Sequence, residues 1–111
     1  MVQVNEINYA TSIGVLFALK EMHGFKTLQE TYKLFENADI DVVIEVLTVA
    51  YNKQNGTNMS VNDFVNFLGE KGIGFLAMTD VFQTVVEAIM FDGLTPEQKA
   101  LKKKMMVESK L

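Results

Sequence analysis

Hydrophobic residues recur along most of the chain at intervals of three and four, the spacing that places them on one side of an α-helix. The clearest stripe lies within residues 39–52 and consists of Ile40, Val43, Ile44, Leu47, Ala50 and Tyr51. Val42, Val46 and Val49 add a second apolar side, which predicts a helix at the centre of a bundle. A strand over residues 41–49 is the alternative, because β-branched residues weaken helix propensity.

Capping residues and glycines mark two helices before this segment. The first is predicted from about Thr11 to Met22, and Gly24 suits the left-handed residue that often ends a helix. Thr27 and Glu30 form a capping-box pattern, in which each side chain accepts a backbone N–H of the first turn. This pattern predicts a second helix, and its buried face consists of Leu28, Tyr32 and Phe35.

Two further helices are predicted after a polar loop over residues 52–58. Ser60 caps the fourth helix, with Asp63 at the reciprocal position, and a run of glycines at 69, 72 and 74 ends it. The fifth helix covers residues 75–91, before the Asp92–Gly93 stop. Its apolar stripe consists of Met78, Val81, Phe82, Val85 and Ile89, and its polar side carries Asp80, Gln83, Thr84 and Glu87.

The two ends of the chain give weaker patterns. Residues 2–9 alternate loosely, which predicts a short strand or an extended arm within residues 1–10. Thr95, Pro96 and Gln98 form a helix start signal, and we expect a lysine-rich C-terminal helix over residues 94–111 that is mobile on its own. Together these elements predict an all-α fold: one compact bundle of about five or six short helices across residues 1–111.

Composition narrows the classes of function. The formal net charge is −4 and every basic residue is lysine, which argues against nucleic-acid binding, where arginine makes bidentate contacts. No apolar run approaches the roughly 18 residues of a membrane span, and residues 1–9 lack the pattern of a signal peptide. Cysteine is absent. We therefore expect a cytoplasmic protein that binds neither nucleic acid nor membrane.

Three features that resemble chemical sites have simpler explanations. His23 is the only histidine, and its place at a helix end, where the dipole favours a positive charge, is a sufficient structural reason for it. Asp39 and Asp41, with Glu45 beyond, lack the oxygen ligands and glycine of a calcium loop. The glycine run 69–74 lacks the Lys and Ser/Thr of a phosphate loop. We expect no catalytic residue, no metal and no cofactor, hence no enzyme.

Methionine is abundant, and the late methionines lack an obvious internal partner. Methionine fills irregular cores and also makes adaptable binding surfaces. The candidate partner-binding residues are Met90, Phe91, Leu94, Met105, Met106 and Val107. Packing of the last helix on the body of the protein is the alternative use of these side chains.

The order of segments carries a resemblance to a known family. The segments are V-L-F-A-L-K-E-M (15–22), T-L-Q-E-T-Y-K-L-F (27–35), D-I-D-V-V-I-E-V-L-T-V-A-Y (39–51), S-V-N-D-F-V-N-F-L (60–68) and G-L-T-P-E-Q-K-A-L-K-K-K (93–104). In this order, nearly the whole chain resembles the tail assembly chaperones of long-tailed, non-contractile phages and of prophages in Gram-positive bacteria. Residues 2–9 depart from the family, which often opens with a clearer strand or hairpin.

The resemblance implies a non-enzymatic protein of the host bacterial cytoplasm that is absent from the mature virion. Its partner would be the tape measure protein, a long helical client kept soluble until tail tube subunits polymerise around it. The resemblance also implies a longer form made by ribosomal frameshifting, through which the tail tube protein would be contacted. Lys102, Lys103 and Lys104 would then be encoded by an A-rich slippery stretch.

The physics of the chain is compatible with that role. An apolar groove can hold a client helix, and a charged exterior keeps the complex in solution. Homo-oligomerisation through an apolar helix face would add avidity along a long client. The alternatives are a small acidic helical adaptor or inhibitor of a host protein, encoded by a phage, and a minor structural protein of the virion.

Overall fold

A computed structural model describes residues 1–92, 97, 98, 100 and 101. It is a compact, mostly helical globule, as the sequence predicts, and it carries a two-stranded sheet at its N-terminus. Within residues 1–92 the elements are β1 (Val2–Val4), β2 (Ile7–Tyr9), α1 (Ile13–His23), α2 (Leu28–Glu36), α3 (Ile40–Asn55), α4 (Val61–Glu70) and α5 (Phe75–Asp92).

Helix α3 is the centre of the fold. It contacts α1, α4, α5 and β2, and Val46, Leu47 and Ala50 are completely buried on it. The predicted central helix is therefore confirmed, and the alternative strand over residues 41–49 is wrong. Tertiary packing outweighs the propensity of the β-branched residues, because burial on several sides stabilises the helix. The helix ends at Asn55, since Gly56 takes the left-handed conformation with φ 64°.

The predicted caps form, with one difference of partner. The backbone N–H of Glu30 donates to Thr27 Oγ1 at 3.3 Å, and that of Asp63 donates to Ser60 Oγ at 3.1 Å. The Glu30 side chain of α2 also accepts a hydrogen bond at its Oε2. The donor is the backbone N–H of Lys26, at 2.9 Å, one residue before the cap. Local hydrogen bonds thus begin these helices where the sequence indicates.

The N-terminal residues form a strand rather than an extended arm, and the strand is half of a hairpin. Val2 pairs with Tyr9 and Val4 with Ile7 in an antiparallel ladder. Asn5 and Glu6 make the two-residue turn, with φ values of 53° and 66°. Positive φ at both positions is the mark of a type I′ turn, which matches the twist of a hairpin. The hairpin packs β2 on α3 and β1 on α5.

An aromatic cluster joins the hairpin to α3 and α4. The Tyr9 and Phe64 rings meet edge to face at 6.4 Å, and the Tyr51 and Phe64 rings lie 5.3 Å apart. Tyr9 is only 1% exposed. Burial, with a smaller contribution from Tyr51, raises the pKa of Tyr9 to about 12, because the phenolate is poorly solvated there.

Candidate functional site

An apolar groove of about 340 Å³ runs between α2 and α5, over the start of α3. Its lining residues come from these three helices and from the joint between α2 and α3. They are Phe35, Glu36, Ala38, Val43, Thr79, Phe82, Gln83, Val86 and Glu87. The volume is at the low end for small-ligand pockets, so the groove accommodates a few side chains rather than a large ligand.

The groove exists because α2 and α5 pack on different partners. Helix α2 packs against α1, whereas α5 packs against α3. The two walls meet where the Phe35 and Phe82 rings make an edge-to-face contact at 6.2 Å. Phe82 and Val43 belong to the buried core, while Phe35 and Val86 remain half-buried. The groove floor is therefore an exposed margin of the core.

The rim of the groove is acidic. Glu36, the last residue of α2, and Glu87, on α5, are both exposed and line opposite walls. Gln83 Nε2 lies 3.4 Å from Glu87 Oε1, a long hydrogen bond along α5. None of the lining residues is basic, and the sequence contains no lysine or arginine between Lys71 and Lys99. The groove thus presents negative charge around an apolar floor.

One predicted partner-binding residue lies beside this groove. Met90 is 41% exposed and stands one helical turn after Val86, so it continues the α5 wall toward the C-terminus. Phe91 is half-buried and is not one of the described residues that line the groove. The remaining candidates, Leu94, Met105, Met106 and Val107, lie outside the described residues.

Most of the groove is not evident from the sequence, which predicts Phe35 on the buried face of the second helix and Gln83 and Glu87 on the polar side of the fifth. The available signal was Val86, an apolar residue next to the predicted core stripe. Val86 points to a groove only when α2 is known to lie opposite α5, because the two walls are separated by about forty residues of sequence.

His23 is the last residue of α1 and has contacts that account for it structurally. Its Nε2 lies 2.6 Å from Glu45 Oε1, which joins the end of α1 to α3. Its ring stacks on Phe25, with centroids 5.0 Å apart. The sequence places Glu45 only among the acids near a helix start. Its contact with His23 is a tertiary feature that spacing along the chain did not indicate.

Other exposed apolar side chains lie away from the groove. Ile13 and Phe17 are neighbours on the outer side of α1, and Lys20 Nζ lies 5.7 Å from the Phe17 ring centroid. Phe75 and Leu76, at the start of α5, are 60% and 80% exposed. None of these four side chains is among the described residues that line the groove.

Among the described residues, no three His, Cys, Asp or Glu side chains are grouped closely enough to hold a metal ion. No helix in the described part of the chain has both the length and the apolar character to cross a membrane alone. Helices α4 and α5 pass that test only as a pair, which is bent by 114° at its joint.

Comparisons with protein-family models, with curated proteins and with solved structures find no match to this chain.

Proposed function

We propose that the protein is a phage tail assembly chaperone that binds the tape measure protein in the groove between α2 and α5. The observation that supports this function best is an apolar groove with an acidic rim, open at the surface of a small helical protein. The order of sequence segments, which resembles such chaperones along nearly the whole chain, supplies the identity of the client.

The dimensions of the groove suit one face of a client helix. Along α5 the lining residues extend from Thr79 to Glu87, a rise of ~12 Å, which is about two turns of a helix lying alongside. In helix-in-groove recognition, side chains spaced by three, four and seven residues enter the groove as anchors. Phe35, Phe82 and Val86 offer aromatic and aliphatic surface to such anchors.

The charge of the protein suits the same role. A net charge of −4 keeps a complex with an apolar client in solution. Several copies along one long client would hold it with modest affinity at each site. In this proposal the protein acts in the bacterial cytoplasm without catalysis and is absent from the mature virion. A frameshift-extended form would bring the tail tube protein to the client.

Co-expression with the tape measure protein of the same phage or prophage tests the function. We expect the client to become soluble and to be recovered in a complex with this protein. Unchanged client solubility, with no complex recovered, would contradict the proposal.

A pair of variants tests the groove. Val86→Lys places a charge on the apolar surface of the groove, whereas Ile13→Lys makes the same kind of change at a 54% exposed position on α1, outside the groove. We expect Val86→Lys to weaken client binding by roughly tenfold or more, which corresponds to about 1.4 kcal/mol. Ile13→Lys should bind like the unmodified protein. Equal loss in both variants would place the client elsewhere, provided circular dichroism shows both folded.

A further inference from the structure

We propose that the C-terminal segment of this chain, residues 97–111, is itself a ligand of the acidic groove. The site is the groove described above, and the occupant is the chain's own basic, methionine-containing end. The inference needs the groove but not the tape measure protein. It therefore stands or falls separately from the proposed function.

Charge divides the chain into two parts of opposite sign. Residues 1–92 contain five lysines and twelve acidic residues, a formal charge of −7. Residues 93–111 contain five lysines and two glutamates, a formal charge of +3. The lysines of the C-terminal part are Lys99, Lys102, Lys103, Lys104 and Lys110. Opposite charges attract the segment to the body, and the attraction is strongest close to the acidic groups of the body.

The groove is such a place. Glu36 and Glu87 stand on its two walls, and none of the described residues that line it is basic. Helix α5, which forms one wall, carries three acidic residues and no basic one. It ends at Asp92, little more than one turn beyond Glu87. The chain therefore leaves α5 close to the acidic rim, a few residues before the first lysine of the basic segment.

The connection between α5 and the predicted last helix has a length that allows the last helix to run back antiparallel to α5. The start signal at Thr95 and Pro96 leaves three residues, 93–95, between the end of α5 and the predicted last helix. Connections of two to five residues join antiparallel helices. An antiparallel return across this connection brings Lys102 to the level of Val86 and Glu87, and Met105 to the level of Gln83. A lysine thus meets the acidic rim, and a methionine meets the apolar floor.

Two exposed apolar side chains would be covered by this contact. Met90 is 41% exposed at the end of the groove, and Leu101 is 60% exposed. The described residues of the segment, 97, 98, 100 and 101, are exposed, so the docked arrangement is a second state of the same chain. Docking of the segment would compete with client binding, because both use the same groove. The docked segment would cover the apolar floor until a client displaces it.

Disulfide trapping in the full chain tests the inference, since the natural sequence contains no cysteine. The test variant carries Gln83→Cys and Met105→Cys. The matched control carries Thr84→Cys, an exposed position on the same helix outside the groove and at nearly the same sequence distance, with the same Met105→Cys. Dilute protein is oxidised with oxidised glutathione, and formation of the disulfide within one chain is followed by mass spectrometry. Circular dichroism confirms that both variants are folded.

We expect the Gln83–Met105 pair to close roughly tenfold faster than the control pair, because docking raises the local concentration of one thiol near the other. Changing Lys102, Lys103 and Lys104 to Glu, or raising the ionic strength, should slow closure by roughly threefold or more. Equal rates for the two pairs would overturn the proposal. So would disulfides that form only between differently tagged chains in a mixture, since these identify a second copy as the occupant.

Discussion

At the scale of single residues, the turn of the N-terminal hairpin carries an unfavourable choice of side chain. Glu6 lies at φ 66° in the second central position of the turn, where glycine is strongly preferred. An L-residue other than glycine, asparagine or aspartate pays a steric cost in that region. The hairpin therefore forms because its strands are buried on α3 and α5, and not because of its turn.

Glu6→Gly should stabilise the protein by about 0.5 to 1 kcal/mol, because glycine removes that steric cost and completes an Asn-Gly turn. Urea denaturation followed by circular dichroism measures the change. Glu6→Ala is the control, since alanine removes the same charge but keeps the strained backbone. A gain of equal size in both variants would attribute the effect to the charge of Glu6.

Tyr9 gives the protein a specific sensitivity to alkali. The pKa of Tyr9 is raised from 10.0 to about 12 by burial in the folded state. Its contribution to stability is complete below pH 10 and is lost as the pH rises from 10 through 12, because the unfolded chain releases the proton first. The lost contribution is on the order of 2 kcal/mol.

Tyr9→Phe should therefore lose roughly 2 kcal/mol less stability between pH 10 and pH 12 than the unmodified protein. Urea denaturation at a series of pH values measures this difference. Tyr32→Phe, at a half-buried site on α2, serves as the control and should keep the pH dependence due to Tyr9. Parallel curves for Tyr9→Phe and the unmodified protein would refute the assignment.

At the scale of elements, the helices were predictable because their signals are local. Thr27, Asp39 and Ser60 accept N–H groups in the first turns of α2, α3 and α4, so each helix begins at its cap. The predicted range 75–91 for α5 differs from the observed helix by one residue. The sequence predicts one short strand as an alternative to an extended arm, but not the hairpin, because its turn residues Asn5 and Glu6 lack the Asn-Gly signal. The groove was not predicted, because Phe35 and Val86 meet only through tertiary packing.

The cap of α3 offers a test at this scale. Asp39 Oδ1 accepts the Val42 N–H at 3.0 Å, and its charge also faces the positive end of the helix dipole. We expect Asp39→Ala to cost about 1 kcal/mol in the free energy of unfolding. Asp39→Asn keeps an accepting oxygen and should cost less than half as much. Equal costs for the two variants, measured by thermal denaturation, would assign the effect to charge.

At the scale of the whole molecule, α3 connects parts of the chain that are distant in sequence. It contacts the hairpin, α1, α4 and α5, so the core within residues 1–92 is organised around one helix. Such an arrangement makes unfolding cooperative, because loss of α3 exposes the packed faces of all its neighbours.

Leu47→Ala tests this cooperativity, since Leu47 is completely buried on α3. We expect a loss of about 2 to 5 kcal/mol. Helix content by far-ultraviolet circular dichroism and tyrosine packing by near-ultraviolet circular dichroism should report the same lowered midpoint. Val61→Ala, at a 40% exposed position on α4, should change the midpoint little. Separate midpoints for the two probes in Leu47→Ala would show that the hairpin and helices unfold independently.

The way in which α2 is attached bears on which side chains the proposed groove could bind. This nine-residue helix packs on α1, its ring contact with α5 is that of Phe35 with Phe82, and the hydroxyl of its buried Thr31 makes no hydrogen bond. A small tilt of α2 would widen the cleft at the expense of one aromatic contact, worth about 1 kcal/mol. Under the proposed function, bulky and slender side chains of the client would then bind with similar strength, so that one protein could bind many dissimilar stretches of a single long polypeptide.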